Sequence, residues 1–295
     1  MATGKETVLN AGCKVNLYLN ILGSRKDGYH ELESLFFPLT NPGDKLVISP
    51  GSANTGISIQ SSLSELDGQN NILAKAYQVF AETSGCRPDL HVQLEKNIPV
   101  GAGLGGGSSD AATLITYLLD NCSGSAHLNK DDVLKMALKV GADVPFFLFN
   151  KPAWVTGIGE IFTPVNLDFS GHFLLLITPD KQISTAWAYR AWDEKIGSKE
   201  LGNQKQNCLT RMPTEIKEIS LTSQYLFWNS FEELIFNYYP ELRDIKKNVM
   251  SLGARRYVLS GSGSAMVALC EQNSNAHQVL NYLRDRQIKY YTHQF

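Results

Sequence analysis

The segment Pro99–Asp110 has the composition and order of an anion-binding loop. Five of the seven residues from Gly101 to Gly107 are glycines, so the backbone can turn tightly, reach positive φ values and expose its N–H groups. Either Ser108 or Ser109 can cap the helix that is predicted to follow. Exposed N–H groups in front of a helix N-terminus bind phosphate groups. A strand before the segment and an amphipathic helix after it argue against a flexible linker.

Other phosphate-binding patterns fit this segment less well. Ser108 stands where the P-loop pattern GxxxxGK[ST] requires a lysine. The glycines satisfy GxGxxG, but the nearest acidic residue, Asp120, ends the following helix and not the next strand. That position disfavours a dinucleotide-binding fold. The sequence contains no HRD or DFG triplet, which excludes the protein kinases.

Three further residues, in two segments, can take part in chemistry or serve the fold. Lys14–Leu22 alternates polar and apolar residues, which predicts a strand with one polar face. Lys14 and Asn16 lie on that face, which turns either to solvent or to a cleft. Asp143 directly precedes Val144–Pro145. It could act as a catalytic carboxylate, or it could only cap a short helix that begins with the proline.

Three segments resemble, in the same order, the motifs of the GHMP kinases, the superfamily of galactokinase, homoserine kinase, mevalonate kinase and phosphomevalonate kinase. They are Ala11–Asn20, Pro99–Ser109 and Leu259–Ser264. The second follows the superfamily pattern Pro-x-Gly-x-Gly-Leu-Gly-Ser/Gly-Ser-Ser. The resemblance implies an α+β (mixed α/β) fold of two domains, with ATP and a small-molecule substrate bound in the interdomain cleft, and transfer of phosphate to a hydroxyl group.

Other segments are similar to one branch of that superfamily, the 4-diphosphocytidyl-2-C-methyl-D-erythritol kinases of the non-mevalonate isoprenoid pathway. They are Lys14–Leu19, the run Arg25-x-Asp-Gly-Tyr-His-Glu31, Gly141–Phe147 and Gly157–Glu160. This similarity implies a substrate with a cytidine diphosphate group. Another GHMP kinase, of the homoserine or mevalonate type, is not expected to carry Asp-Gly-Tyr-His. A non-catalytic binding protein on the same fold would not need the aspartate–lysine pair.

The resemblance also implies a role for individual residues. Asp143 matches the catalytic aspartate and Lys14 matches its lysine partner. The substrate-binding positions are Asn16, Tyr29, His30 and, by a looser match, Tyr189, an aromatic residue expected on the other side of the base. The ATP-binding residues are Pro99, Val100, Gly101, Ala102, Gly103, Leu104, Gly105, Gly106, Gly107, Ser108 and Ser109. Mg²⁺ is expected with ATP, although no acidic metal ligand is evident from the spacing.

Periodicity and turn residues predict the elements around these positions. The predicted helices are Ile72–Thr83, Asp110–Leu119, Asn129–Val140, Gln224–Asn237 and Glu241–Leu252, with one more near the C-terminus. The predicted strands include Lys14–Leu22, His91–Glu95, Ala153–Thr156, Ile161–Val165, Phe173–Thr178, Tyr257–Leu259 and Met266–Cys270. We expect an N-terminal ATP-binding domain over residues 1–165 and a C-terminal domain over residues 166–295. A domain connection is placed near Glu194–Lys217.

Composition restricts the function further. The chain has 295 residues, 43% of them hydrophobic and 19% charged, and a net charge of −2. A long basic run is absent from the sequence, which disfavours nucleic-acid binding. The apolar runs are too short to span a bilayer and the first residues lack a signal-peptide core, so a cytoplasmic location without membrane attachment is predicted. The five cysteines form no CxxC pair, which argues against a zinc site or a disulfide framework.

Overall fold

The computed structural model describes residues 6–197, 218–219, 226–271 and 276–295. Its helices are α1 Ile72–Ser84, α2 Gly106–Asn121, α3 Lys130–Val140, α4 Val144–Phe149, α5 Thr185–Gly197, α6 Glu232–Tyr238, α7 Pro240–Ser251 and α8 Ala276–Asp285. Its strands are β1 Thr7–Ser24, β2 His30–Pro50, β3 Ile57–Ser61, β4 Leu90–Glu95, β5 Ala153–Gly157, β6 Ile161–Pro164, β7 Asn166–Leu167, β8 His172–Thr178, β9 Glu218–Ile219, β10 Trp228–Asn229, β11 Arg256–Leu259, β12 Met266–Glu271 and β13 Lys289–Gln294. Helices and strands are mixed along the chain, as predicted.

These elements form two compact units, each built from several chain segments. The first unit contains the described residues up to Lys14, Pro38–Pro99 and Gly105–Lys151, and the second contains Val15–Phe37, Val100–Leu104 and the described residues from Pro152 onward. The domain boundary at residue 165 remains a prediction. The proposed domain connection falls mostly on residues 198–217, which lie outside the described residues, as does Cys208.

In the first unit, α1 to α4 bury their apolar faces together with strands β2, β3 and β4. Strand β4 pairs antiparallel with the end of β2 and parallel with β3. The ends of the helices follow from local chemistry. Asn71 caps α1 by accepting a hydrogen bond from Leu73 N, and Gly85 ends that helix at φ 72°. Asn129 and Asp132 form a capping box at the start of α3, which confirms the predicted cap.

In the second unit, β8 and β12 are the two central strands of an antiparallel sheet with the order β11-β12-β8-β13. Both are almost entirely apolar because their two faces are covered. The predicted hairpin of β5 and β6 is present. Helices α5 to α8 supply most of the remaining core of this unit.

Three sequence predictions need correction. Helix α2 begins at Gly106, four residues earlier than predicted. Gly105, at φ +70°, is its N-cap, and Gly105 O accepts from Ser109 N at 2.9 Å. Ser108 and Ser109 therefore lie inside the first turn and do not cap it. Helix α6 begins at Glu232 and not at Gln224, which lies outside the described residues. The short strand β10 precedes it and pairs parallel with β1, so tertiary pairing outweighs helical periodicity there.

No helix in the described part of the chain is both long and apolar enough to cross a membrane. The four cysteines within that part are free thiols.

Candidate active site

Lys14 and Asp143 form an ion pair in the first unit. Lys14 Nζ lies 3.8 Å from Asp143 Oδ2, and the side chains are 6% and 31% exposed respectively. The pKa of the Lys14 ammonium group is lowered because burial disfavours its charged form, although the neighbouring Asp143 acts in the opposite direction. The structure therefore brings together a buried cation and a partly exposed carboxylate.

Asp143 occupies the position before the first residue of α4 but does not cap that helix. Its side chain accepts no capping hydrogen bond, and its backbone is already helical at φ −83° and ψ −11°. The interpretation of Asp143 as only a helix cap is wrong. Helix α4 follows Asp143 directly, and this carboxylate lies beside Lys14 on β1.

The second half of the glycine-rich loop lies against Lys14. A Cβ atom on Gly105 would be 3.0 Å from the ring of Phe147 and 3.3 Å from Cγ of Lys14. Gly105 also has φ +70°, a conformation that favours glycine. Ser109 N donates to Gly105 O at 2.9 Å, while the earlier N–H groups of a helix have no acceptor within it. The N-terminus of α2 can thus bind an anion next to Lys14.

The first half of the loop packs on the glycine-rich segment near the C-terminus, within the second unit. A Cβ on Gly103 would be 2.6 Å from the carbonyl oxygen of Ser260, and Ala265 N donates to Ala102 O at 3.2 Å. Asn16 N donates to Ser260 Oγ at 3.1 Å. Three segments that resemble GHMP motifs are therefore close together, although they are far apart in sequence.

Sequence reasoning missed the residue that fixes this arrangement. Asn229 Nδ2 donates to the carbonyl oxygens of Leu259 and Gly261, at 2.7 Å each, and Asn229 Oδ1 accepts from Phe231 N at 2.8 Å. Its amide is buried. A single asparagine in a region without a recognisable motif gave no signal in the sequence.

The predicted substrate-binding residues differ in burial and in their contacts. His30 is buried, and its ring stacks on Tyr189 with centroids 4.6 Å apart. His30 Nε2 lies 2.8 Å from Asp193 Oδ1, which also accepts from Ser24 Oγ at 3.0 Å. Tyr29, in contrast, is 58% exposed. The structure thus joins His30 directly to Tyr189, and placement of a base between Tyr29 and Tyr189 stays a prediction. Asp193 was not identified from the sequence.

The described His, Cys, Asp and Glu side chains do not form a metal cage. Among the described residues, no group of three or more His, Cys, Asp or Glu side chains could hold a metal ion. Mg²⁺ commonly keeps several waters and binds through substrate phosphates. No side-chain ligand set for Mg²⁺ is therefore assigned among the described residues.

Family models match two parts of the chain. The model for the N-terminal domain of GHMP kinases matches residues 71–151 and the model for the C-terminal domain of GHMP kinases matches residues 206–289. The first match contains the glycine-rich loop and Asp143. The second contains the glycine-rich segment on which the loop packs.

Full-length comparisons agree with these matches. A 4-diphosphocytidyl-2-C-methyl-D-erythritol kinase from Nitratidesulfovibrio vulgaris is 41% identical over 286 residues, which cover 97% of each chain. A crystal structure of 4-(cytidine 5'-diphospho)-2C-methyl-D-erythritol kinase has a TM-score of 0.73 at 31% identity, covering 97% of this chain and 98% of that one. Homoserine kinase from Cytophaga hutchinsonii has a TM-score of 0.62 at 18% identity, covering 96% and 94%. This last likeness concerns the fold alone.

Proposed function

This chain belongs to the GHMP kinases and, among them, to the 4-diphosphocytidyl-2-C-methyl-D-erythritol kinase family, and we propose that it transfers the γ-phosphate of ATP to a hydroxyl of 4-diphosphocytidyl-2-C-methyl-D-erythritol. The reaction is a step in non-mevalonate isoprenoid precursor synthesis. The proposal is carried by 41% sequence identity, over 97% of the chain, to a member of that family. The pairing of Lys14 and Asp143 beside the glycine-rich loop supports it.

Asp143 is the proposed base of the reaction. It orients the substrate hydroxyl and accepts its proton as the oxygen attacks the γ-phosphorus and ADP leaves. The buried ammonium group of Lys14 stabilises the negative charge that develops on that oxygen. The partial exposure of Asp143 leaves its carboxylate accessible to the hydroxyl.

Residues Pro99–Ser109 are the proposed phosphate site. The N–H groups at the start of α2 bind phosphate oxygens, and glycine at position 105 keeps the backbone close to Lys14. Mg²⁺ would enter with ATP, bound to its phosphates, because the described side chains offer no cluster of ligands for it.

Asn16, Tyr29, His30 and Tyr189 are the proposed substrate contacts. An exposed aromatic ring at Tyr29 can stack on a planar base. His30 is fixed in orientation by Asp193 and by the Tyr189 ring, so it can present a defined edge for hydrogen bonding. A site that pairs with one base edge rejects groups that leave its buried polar atoms unpaired.

A coupled assay that detects ADP tests this proposal. The protein would be supplied with ATP and, in parallel, with 4-diphosphocytidyl-2-C-methyl-D-erythritol, methylerythritol phosphate, homoserine and mevalonate. We expect turnover on the first compound alone. Homoserine or mevalonate as the best substrate would keep the superfamily and contradict the specific assignment. No turnover on any of the four compounds would contradict the kinase assignment itself. The cytoplasmic location and the lack of nucleic-acid partners remain predictions.

A further inference from the structure

Three charged side chains meet in the interior of the first unit. Lys96 Nζ donates to Asp110 Oδ2 at 2.8 Å and forms a second, shorter contact with Asp44 Oδ2. The exposed fraction is 4% for the Lys96 side chain, 0% for Asp44 and 2% for Asp110. Charged residues are almost never buried this completely unless they are paired. None of the three was identified from the sequence.

The position of this triad relates it to the glycine-rich loop. Lys96 ends the chain segment that leads into the loop, and Asp110 lies in the second turn of α2, which follows the loop. Asp44, at the far end of the same cluster, accepts hydrogen bonds from the backbone N–H groups of Asn97 and Ile98, at 2.6 and 2.8 Å. The two ends of the loop are thus tied to each other and to β2.

The Asp44 side chain also packs against Gly106, the first residue of α2. A Cβ on Gly106 would be 3.3 Å from Asp44 Oδ2 and 3.1 Å from Cγ2 of Ile98. The first residue of α2 therefore packs against the residues that anchor the loop entrance. A side chain at position 106 would therefore press on Ile98 and Asp44, whether or not a ligand is bound.

We propose that Lys96, Asp44 and Asp110 are positioning residues for nucleotide binding, and that they hold the two ends of the loop so that the N–H groups of α2 face the ATP phosphates. The Lys96 ammonium group is buried between the carboxylates, so it acts through the backbone and not by contact with nucleotide. The inference rests on the proposed function of the loop as the ATP site.

The charge state of the cluster is consistent with a permanent structural role. Burial raises the pKa of the Asp110 carboxyl to about 8, against the opposing effect of Lys96. Burial acts to lower the pKa of Lys96, but the two carboxylates outweigh it and the pKa is raised. One atom, Asp110 Oδ1, has no hydrogen-bond partner.

The test compares ADP affinity with turnover in the full-length protein. Lys96→Met removes the ammonium group, and Asp44→Asn keeps the size of the side chain and an oxygen for the backbone N–H groups while it loses the ion pair. We expect each variant to raise the dissociation constant for ADP and the KM for ATP by about 10–100-fold, which is about 1.4–2.8 kcal/mol. We expect kcat at saturating ATP within about threefold of wild type, because neither residue contacts the reacting atoms.

Lys246→Met is the matched control. Lys246 Nζ pairs with Glu232 Oε2 at 2.7 Å in the second unit, and Glu232 likewise has a buried oxygen, Oε1, without a partner. This variant loses a less buried ion pair, in which the Lys246 and Glu232 side chains are 32% and 19% exposed, and should keep wild-type ADP affinity. Equal ADP affinity of wild type and folded Lys96→Met or Asp44→Asn protein would overturn the proposal, even if both variants are less stable.

A double-mutant cycle provides the second measurement. Lys96→Met and Asp110→Ala should be non-additive in their effect on ADP binding, because each removes the hydrogen bond from Lys96 Nζ to Asp110 Oδ2. Additive effects would show that Lys96 and Asp110 do not act together in holding the ends of the loop. If Lys96→Met does not fold, Asp44→Asn alone decides the outcome. Wild-type protein that binds ADP but phosphorylates none of the alcohols would contradict the proposed function and leave this binding test valid.

Discussion

Lys14 Nζ and Asp143 Oδ2 are 3.8 Å apart, which is within ion-pair range but beyond a direct hydrogen bond. The Asp143 side chain does not stabilise α4 by capping it. The backbone thus fixes the position of the carboxylate, while its oxygens make no capping hydrogen bond to α4. This is the arrangement that a catalytic base needs before its substrate arrives.

Asp143→Asn should separate chemistry from folding. We expect kcat to fall by about 10²–10⁴-fold, the usual scale for loss of a general base, with the thermal midpoint almost unchanged because no capping bond is lost. Turnover by the coupled assay and thermal unfolding of the same samples check this. Asp132→Ala is the control: it removes one half of the capping box of α3 and should cost roughly 1 kcal/mol of stability while kcat stays the same. A normal kcat in folded Asp143→Asn protein would contradict the catalytic role.

Two glycines at the loop should respond differently to the same methyl group. Gly105→Ala places Cβ 3.0 Å from the Phe147 ring and 3.3 Å from the Lys14 side chain, at a positive φ. Gly107→Ala meets only Ile72 Cγ2, at 3.6 Å, which is ordinary contact. We expect Gly105→Ala to lower both stability and turnover. Gly107→Ala should keep the stability of wild type or gain about 0.5–1 kcal/mol from helix propensity.

Chemical denaturation measures the stability of both variants, and steady-state kinetics with ATP varied measures their turnover and KM for ATP. If the two variants were equally stable and equally active, the close approach of Gly105 to Lys14 would be disproved. If Gly107→Ala loses ATP affinity at full stability, its added methyl group obstructs a bound phosphate, which would support the anion site at the start of α2.

The sequence predicted structure well where neighbouring residues alone determine it. Caps such as Asn129 and alternating strands such as β1 depend on neighbouring residues alone. The cap was predicted correctly, and the alternation placed a strand inside β1, although that strand begins at Thr7 and not at Lys14. The buried triad was not predictable, because Asp44 and Lys96 are far apart in the chain and each looks like an ordinary surface residue. The polar face of β1 shows the same limit: alternation left open whether Asn16 and Asn20 face solvent, and only the fold shows that both are buried.

Asp110→Asn should change how stability depends on pH. The pKa of the Asp110 carboxyl is raised to about 8 by burial, against about 3.9 in an unfolded chain. Between these values the folded protein holds a proton that the unfolded chain releases, so the contribution of Asp110 to stability falls as pH rises from about 4 to 8 and is constant above. Asparagine resembles the protonated carboxyl group and does not titrate.

Urea midpoints of both proteins at several values between about pH 5 and pH 9 test this linkage. We expect wild type to lose stability relative to Asp110→Asn as pH rises to about 8, and the difference to level off beyond it. Lys96 and Asp44 are the charged groups that face Asp110, and both are present in each protein. Parallel curves would show that Asp110 is ionised throughout, which the unpaired Oδ1 atom makes unfavourable.

Tyr29→Ala should weaken binding of the alcohol substrate without an effect on the fold. The Tyr29 ring is 58% exposed, so little apolar packing is lost when it is removed. Its backbone is held independently: Tyr29 N donates to Asp27 Oδ1 at 3.2 Å, and Tyr29 O accepts from Arg25 N at 2.7 Å. If the ring stacks on the cytosine base, its loss should cost roughly 1–3 kcal/mol, which raises KM for the substrate by about 5–150-fold.

Tyr238→Ala is a control of equal exposure, since Tyr238 is also 58% exposed, but it lies on α6, where no substrate contact is proposed. We expect it to leave KM for 4-diphosphocytidyl-2-C-methyl-D-erythritol unchanged, and we expect KM for ATP to be unchanged in both variants. Steady-state kinetics with each substrate varied in turn would measure these constants. An unchanged KM for the alcohol in Tyr29→Ala would remove this ring from the substrate site. Recognition of the base would then have to rely on His30, which Asp193 and Tyr189 already hold in place.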